Sequence, residues 1–247
     1  MRLKRKGWEF LFSLIGLLLL WQLFAWGLNR PIVPYPLTVF DNLLDIFTAR
    51  IDVHLYYSLG RVVAGILLSL IIGVPVGVLM GYFPRVDKIF APLVYFTYPI
   101  PKIALLPVIM LLFGLGETSK LIMIVLIVIF QVIITTRDAV KNIPPEMFRS
   151  LQSLGAHRRQ IYTEIILPAS LPDILTASRL SLGTAISILF FTETFGTEYG
   201  MGYFIMDAWM RMNYLDMYAG IVVLSLLGCG IFVALDFIEE KLCAWQN

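Results

Sequence analysis

Charge is scarce in this sequence. Only 15% of its 247 residues are charged against 59% hydrophobic, where an ordinary soluble domain carries roughly a quarter charged residues. A net charge of +2, with no basic run interleaved with aromatics, leaves no footprint for a nucleic-acid partner. The two cysteines, Cys229 and Cys243, have neither metal-ligand nor disulfide-framework spacing, so they define no redox compartment and read as passive thiols. The two histidines, His54 and His157, gather no cluster of Cys or carboxylates at catalytic depth, which argues against a membrane enzyme. A phosphate cradle of the form G-x-x-x-x-G-K-[ST] is missing as well. Gly114 to Lys120 looks superficially similar but lacks the spacing. Nothing here predicts a metal or a cofactor bound by this chain.

What the sequence has instead is long apolar runs. A membrane-spanning helix needs about 20 mainly apolar residues, and six runs qualify: 8 to 28, 58 to 82, 89 to 113, 119 to 136, 173 to 195 and 215 to 238. The expected class is an all-α membrane protein with six transmembrane helices. The first run follows Arg2, Lys4, Arg5 and Lys6 as a secretory signal would, but it exceeds a signal core and lacks a small-x-small cleavage site, so it reads as a retained helix. Arg2, Lys4, Arg5, Lys6, Arg85, Lys88, Arg137, Lys141, Arg149, Arg158, Arg159 and Lys241 all fall on one side of the bilayer if the N-terminus is inside. The positive-inside rule then puts both termini in the cytoplasm of a multi-pass protein of the cell (inner) membrane. The chain divides into an N-terminal transmembrane helix (1–30), an external loop with a surface helix (31–57), and a five-helix transmembrane core (58–247) with a cytoplasmic loop at 137–172.

Some spans carry packing marks. Gly65, Ser69, Gly73, Gly77 and Gly81 recur every fourth residue in the second span, a stripe of small side chains that lets another backbone approach closely. Pro75 should kink that helix. Pro99, Pro101 and Pro107 make the third span a poor continuous helix, and broken helices at membrane depth persist only where protein or water satisfies the freed backbone. This segment is a candidate wall of a translocation path. On the outer side, PYPLTVFDNLLDIF reads as a surface-lying helix entered through Pro36, with Val39, Phe40, Leu43, Leu44 and Phe47 on one face.

Ionisable groups at membrane depth are costly and functional by default. Lys102 lies in the broken span and Glu193 near the end of the fifth. Lys102, with exposed amides around Pro99 and Pro101, could attract a passing anion; the reading favoured over it is a structural pair with Glu193 or a lysine snorkelling to a polar cavity. Arg61 and Arg179 read as interface anchors. Phe190, Phe191, Phe195, Tyr199, Tyr203 and Trp209 read as an interfacial belt, and Gly200-Met201-Gly202 opens a re-entrant or surface helix near the outer mouth.

The most distinctive stretch is the polar interruption Pro144 to Pro172. Pro144 and Pro145 suit a helix start, with Glu146 in the first turn. Met147, Leu151 and Leu154 follow at helical spacing, and Gly155 stops the helix as a C-terminal cap does. A second amphipathic piece runs from Arg158 to Ile166 and leads to Leu167 and Pro168. Two short helices facing the cytosol bury little apolar surface by themselves and need a partner to lie against.

Here the residues resemble the permease subunits of binding-protein-dependent ABC importers. The spacing Gly155, nine residues, Ile165, one residue, Leu167-Pro168 matches that family's cytoplasmic loop signature. SLGRVVAG (58 to 65), YPIPKIALLP (98 to 107), FGLGETSK (113 to 120), LQSLGAHRRQIY (151 to 162), ILPASLPDILTASRLSLG (166 to 183) and GMGYFIMDA (200 to 208) are similar to the branch that imports nitrate, sulfonates, taurine and related small solutes. One departure stands out: where the family carries Glu-Ala-Ala six residues ahead of the glycine, this chain has Arg149, Ser150 and Leu151.

The resemblance implies a type I importer (MetI-like) permease fold with a cytoplasmic coupling helix. It implies two ABC ATPase subunits that bind ATP and Mg and dock through Glu146, Met147, Phe148, Leu151, Leu154, Gly155, Ala156, Ile165, Leu167 and Pro168. A second permease chain, by default a homodimer partner, and an extracytoplasmic solute-binding protein would complete the assembly. Pro99, Pro101, Lys102 and Glu193 are the candidate path residues, and the solute is expected to be a small anion such as nitrate, a sulfonate, taurine or bicarbonate. The rival reading is a self-sufficient secondary transporter or channel; such proteins often show two related halves, and no convincing internal repeat is present.

Overall fold

The computed structural model describes the backbone from residue 2 to 246 and the side chains from residue 12 to 245. Eleven α-helices follow in order: α1 (Arg2–Leu28), α2 (Pro36–Ile46), α3 (Asp52–Tyr82), α4 (Pro84–Thr97), α5 (Leu106–Phe113), α6 (Glu117–Lys141), α7 (Pro145–Ser153), α8 (Arg158–Ile161), α9 (Leu167–Glu193), α10 (Met201–Met210) and α11 (Tyr214–Leu242). The described residues include no strand. Among the described residues four stretches are long and apolar enough to cross a membrane: Pro36–Tyr82, Glu117–Lys141, Arg158–Glu193 and Tyr214–Leu242. The pair Pro84–Thr97 and Lys102–Phe113, bent by 81°, makes a fifth. The remaining expected span, 8 to 28, falls partly outside the described side chains; its described apolar part is Phe12–Leu28.

Two expected boundaries are redrawn. The surface helix α2 is not separated from the second span but runs into α3 through a π-helical turn at Phe47–Ile51. At about 1.5 Å per residue the combined 47 residues far exceed a hydrocarbon core of about 30 Å, so α2 lies outside the span that α3 makes. Val39 and Leu43 bury against Met201, Phe204, Ala219 and Val223, while Leu44 stays 78% exposed. Likewise α8 does not end at Leu167-Pro168. It continues through a π-helical turn at Tyr162–Ile166 into α9, where Pro168 occupies the first turn. Pro168 has no N–H to give to the preceding turn, and it falls where that π-helical turn has already departed from the regular ladder.

The core is the parallel pair α3 and α6, with α9 antiparallel across it. Between helices in lipid there is little hydrophobic drive, so association rests on close packing. The small-residue stripe of α3 supplies it. A Cβ at Gly65 would lie 2.4 Å from Ile124 Cγ2, and one at Gly77 or Gly81 would lie 2.8 Å from a backbone carbonyl of α6, Ile133 O or Arg137 O. The stripe therefore packs inside the bundle and lines no opening. Val62 and Ile66 of α3, Leu106 and Ile109 of α5, Met123, Ile124, Val128 and Val132 of α6, and Leu182, Ala185, Ile188 and Leu189 of α9 fill the space between. At the end that carries α7, Asp87 of α4 accepts from Arg137 and from Lys141 of α6, the latter at 2.5 Å. The half-broken third span is thus fastened to the core at one end.

Candidate functional site

The helix predicted at the polar interruption forms as α7, entered through Pro144 and Pro145. Its end is a Schellman motif: the Gly155 amide donates to Gln152 O (3.0 Å) and the Ala156 amide to Leu151 O (3.2 Å). Gly155 has φ of +78°, a left-handed conformation in which a Cβ would be strained. The next helix is opened by the His157 amide donating to Gln160 Oε1 at 2.8 Å, half of a capping box.

The faces of α7 divide the predicted contact residues into two sets. Phe148 and Leu151 pack inward on Val78, Val140, Ile143, Ile161, Ile165 and Ile166, and the Phe148 ring lies 5.9 Å from that of Tyr82. Met147 (45% exposed) and Leu154 (82% exposed) point away from the bundle, with Glu146, Arg149 and Ser150 also exposed. Met147, on a helix with no buried residue of its own, and Leu154 at that helix's C-cap are thus apolar side chains held outward. Ile165 is buried beneath α7, Leu167 is exposed and Pro168 half-buried, so the loop signature lies partly under that helix and the outward pair on its free face.

At the opposite end of the bundle lies a group that sequence reasoning missed. Arg61, expected as an interface anchor, is 4% exposed. Its Nη1 donates to Glu193 Oε1 and to Tyr199 O, both at 2.7 Å, while Nε and Nη2 form a fork on Glu117 at 2.6 and 2.5 Å. Glu193, fully buried, also accepts from Ser58 Oγ (2.8 Å) and from the Gly202 amide (2.9 Å). Gly200 and Gly202 wrap that carboxylate so closely that a Cβ at Gly200 would lie 2.4 Å from its carboxyl carbon. The Met201 amide donates to Ser58 Oγ and the Gly200 amide to His54 Nδ1. One carboxylate therefore ties α9 and the start of α10 to α3, and one guanidinium ties α3 to α6. The signal available beforehand was Ser58 and Arg61 three residues apart, on one helical face, together with the two glycines after Glu193.

Lys102 makes no pair with Glu193. Its ammonium donates to Thr97 O (3.0 Å) and Tyr98 O (2.9 Å) and lies 4.7 Å from the centre of the Phe130 ring. It thus meets the carbonyls at the end of α4, just ahead of Pro99 and Pro101, a cation at a helix C-terminus. Lys120 does the same after α5, donating to Leu115 O and Gly116 O. Lys102→Met is expected to strand those carbonyls and cost about 1–3 kcal/mol, seen as a lower melting temperature of the purified protein. Full stability with transport lost would instead restore the anion-attracting role. Arg179, the other expected anchor, is ion-paired with Asp236 (2.9 Å) and Glu239 of α11.

Three comparisons bear on this arrangement. A model of the family described as binding-protein-dependent transport system inner membrane component matches residues 65–242. The taurine transport system permease protein of Escherichia coli (strain K12) is 32% identical over 234 residues, covering 92% of this chain and 85% of that protein. A Bacillus subtilis (strain 168) protein named for aliphatic sulfonates transport is 32% identical over 254 residues, covering 99% and 90%. Among solved structures, a chain of the MetNI methionine ABC transporter in an inward facing conformation matches with a TM-score of 0.68 at 21% identity, covering 76% of this chain and 94% of that one.

Proposed function

The chain belongs to the family of binding-protein-dependent transport system inner membrane components, is the permease of an ABC importer and not a catalytic enzyme, and from that premise we propose how it couples ATP hydrolysis to the inward movement of a small anion. Helix α7 is the coupling helix, and the end of the bundle that carries it faces the cytosol with both termini. Two ATPase subunits, which bind ATP and Mg, close around nucleotide and push on Met147 and Leu154. Because Phe148 and Leu151 root α7 on α3, on α6 and on the turn into α9, the push reaches three spans at once. The bundle then shifts between outward and inward openings, driven by a differential interaction with the two states.

Six helices make half of such a path, so a second copy of this chain completes it. A soluble binding protein delivers the solute at the opposite end, near α2 and α10. The solute is a small anion of the sulfonate or carboxylate kind. That reading is supported by the named solutes of the two relatives and by the buried guanidinium of Arg61.

The observation that carries the coupling is the outward pair Met147 and Leu154 on a helix closed by Gly155. A cysteine at Leu154, in a chain with Cys229 and Cys243 replaced by serine, is expected to cross-link to a cysteine-bearing ATPase subunit. A cysteine at Phe148 is not. Equal cross-linking at both positions, or anion uptake by this chain alone without ATP, would reject it.

A further inference from the structure

The two sides of the Arg61 guanidinium are not alike. One side is spent permanently: Nη1 is held by Glu193 and Tyr199 O inside the bundle. The other side, the fork of Nε and Nη2, is given to a carboxylate that is itself in the open. The Glu117 side chain is 54% exposed where that of Arg61 is 3% and that of Glu193 is 0%. Next to this pair lies a cavity of about 320 Å³, lined by Tyr56, Tyr57, Gly60 and Ala64 of α3 and by Leu121 of α6. The Tyr57 ring lies 5.4 Å from the guanidinium carbon. Water takes up about 30 Å³ per molecule, so the space holds a small organic anion with room to turn. Glu117 is the first residue of α6, at the end of the bundle opposite α7, where a half-exposed carboxylate meets water.

Two parallel hydrogen bonds from a guanidinium fork to a carboxylate are the geometry with which arginine recognises any planar or tetrahedral oxyanion. Glu117 occupies that position with its own side chain half exposed, so leaving the fork carries it into water and not through the bundle. We propose that the Nε–Nη2 fork of Arg61 is an anion subsite of the transport path, at which the sulfonate or carboxylate of the solute replaces the carboxylate of Glu117. Glu193, Ser58 and the Gly202 amide aim the guanidinium and keep it charged. Glu117 is the resident stand-in: it occupies the fork between solutes and swings into water when one arrives. Lys120, three residues on and so on the same face of α6, adds positive charge with no carboxylate paired to it among the described residues. No covalent bond changes in this exchange; one oxyanion leaves the fork and another enters.

The inference rests on the reading that the solute is an anion, and the test separates the two. The permease with its ATPase subunits, without binding protein, is melted in increasing ethanesulfonate, with sodium chloride at equal ionic strength as the control. Ethanesulfonate is expected to raise the melting temperature beyond chloride. Glu117→Gln removes the competing charge and should lower the half-saturating concentration about fivefold, the worth of an exposed ion pair. Gly60→Leu should abolish the response with the fold intact, because a Cβ at Gly60 meets open space and leucine is the better helix former. Identical half-saturation in the wild type and Glu117→Gln, an unchanged response in Gly60→Leu, or an equal shift with chloride would each overturn the subsite. Uptake by the complete transporter in vesicles tells the two failures apart. Uptake restricted to uncharged solutes overturns the anion reading and the subsite with it, whereas anion uptake indifferent to Glu117 and Gly60 overturns the subsite alone.

Discussion

Replacing Arg61 with methionine is expected to be the most damaging single change in this protein. It leaves Glu193, whose side chain is fully buried, as a carboxylate with no cation. Removing one partner of a buried ion pair typically costs about 3–5 kcal/mol, because the surviving charge is stranded away from water. For a chain of this size that corresponds to a fall of roughly ten degrees in melting temperature. The loss should be largely local in origin: the Gly200–Gly202 cradle closes on an ionised Glu193, so α10 detaches from α3 and α9 before the α3–α6 core gives way. A second substitution, Glu193→Gln, keeps an acceptor for Ser58 and the Gly202 amide while removing the stranded charge. The double variant should therefore recover much of the stability that Arg61→Met loses. Glu117→Gln, by contrast, should cost under about 1 kcal/mol, since that arm of the pair is half exposed. Thermal melting of the four variants in detergent checks the series. Equal losses for Glu117→Gln and Arg61→Met would show that the buried arm is not the stabilising one.

The second large effect concerns function with the fold preserved. Met147→Asp combined with Leu154→Asp is expected to cut ATP-driven uptake to about a hundredth or less, since each carboxylate set into an apolar contact costs several kcal/mol when it is desolvated without a partner. The permease alone should melt as the wild type does, because Met147 and Leu154 contribute nothing to its own core. Phe148→Asp is the contrasting case. It places a charge among Val78, Val140 and Ile161, so stability should fall together with uptake. Pull-down of the ATPase subunits gives the mechanism: the double variant should fail to retain them while remaining folded. Normal retention with normal uptake would mean that the dock lies elsewhere on the chain.

Much of this was legible in the residues, for physical reasons that are local. A long apolar run can be little other than a membrane helix, and five of the six expected spans reappear among the described residues, one of them as the bent pair. The break of the third span followed from Pro99 and Pro101, which fall at the interruption itself, whereas Pro107 sits in the first turn of α5. The stop at Gly155 followed from a glycine where the apolar spacing ended, and the left-handed φ and paired hydrogen bonds of the Schellman motif are its geometry. The stripe Gly65, Ser69, Gly73, Gly77 and Gly81 announced a close helix contact, although only the fold named α6 as the helix it meets.

Other features depended on groups far apart in the chain. Arg61 and Arg179 read as anchors because a lone arginine near a span end normally snorkels to the interface. Their partners, Glu117 and Glu193 in one case and Asp236 and Glu239 in the other, lie 56 or more residues away, and no local spacing points to them. Lys102 reads as a structural partner of Glu193 or a lysine snorkelling to a polar cavity, yet its shortest contacts are carbonyls four and five residues earlier, beside the prolines that break the helix. The contact face of α7 was likewise undivided until the bundle beneath it was in place. By itself the sequence determined what each segment is, because helix, break and cap are decided within a turn or two of backbone. Which charge neutralises which, and which face of α7 is left exposed, only the tertiary structure decided, because burial is a property of the neighbours and not of the residue.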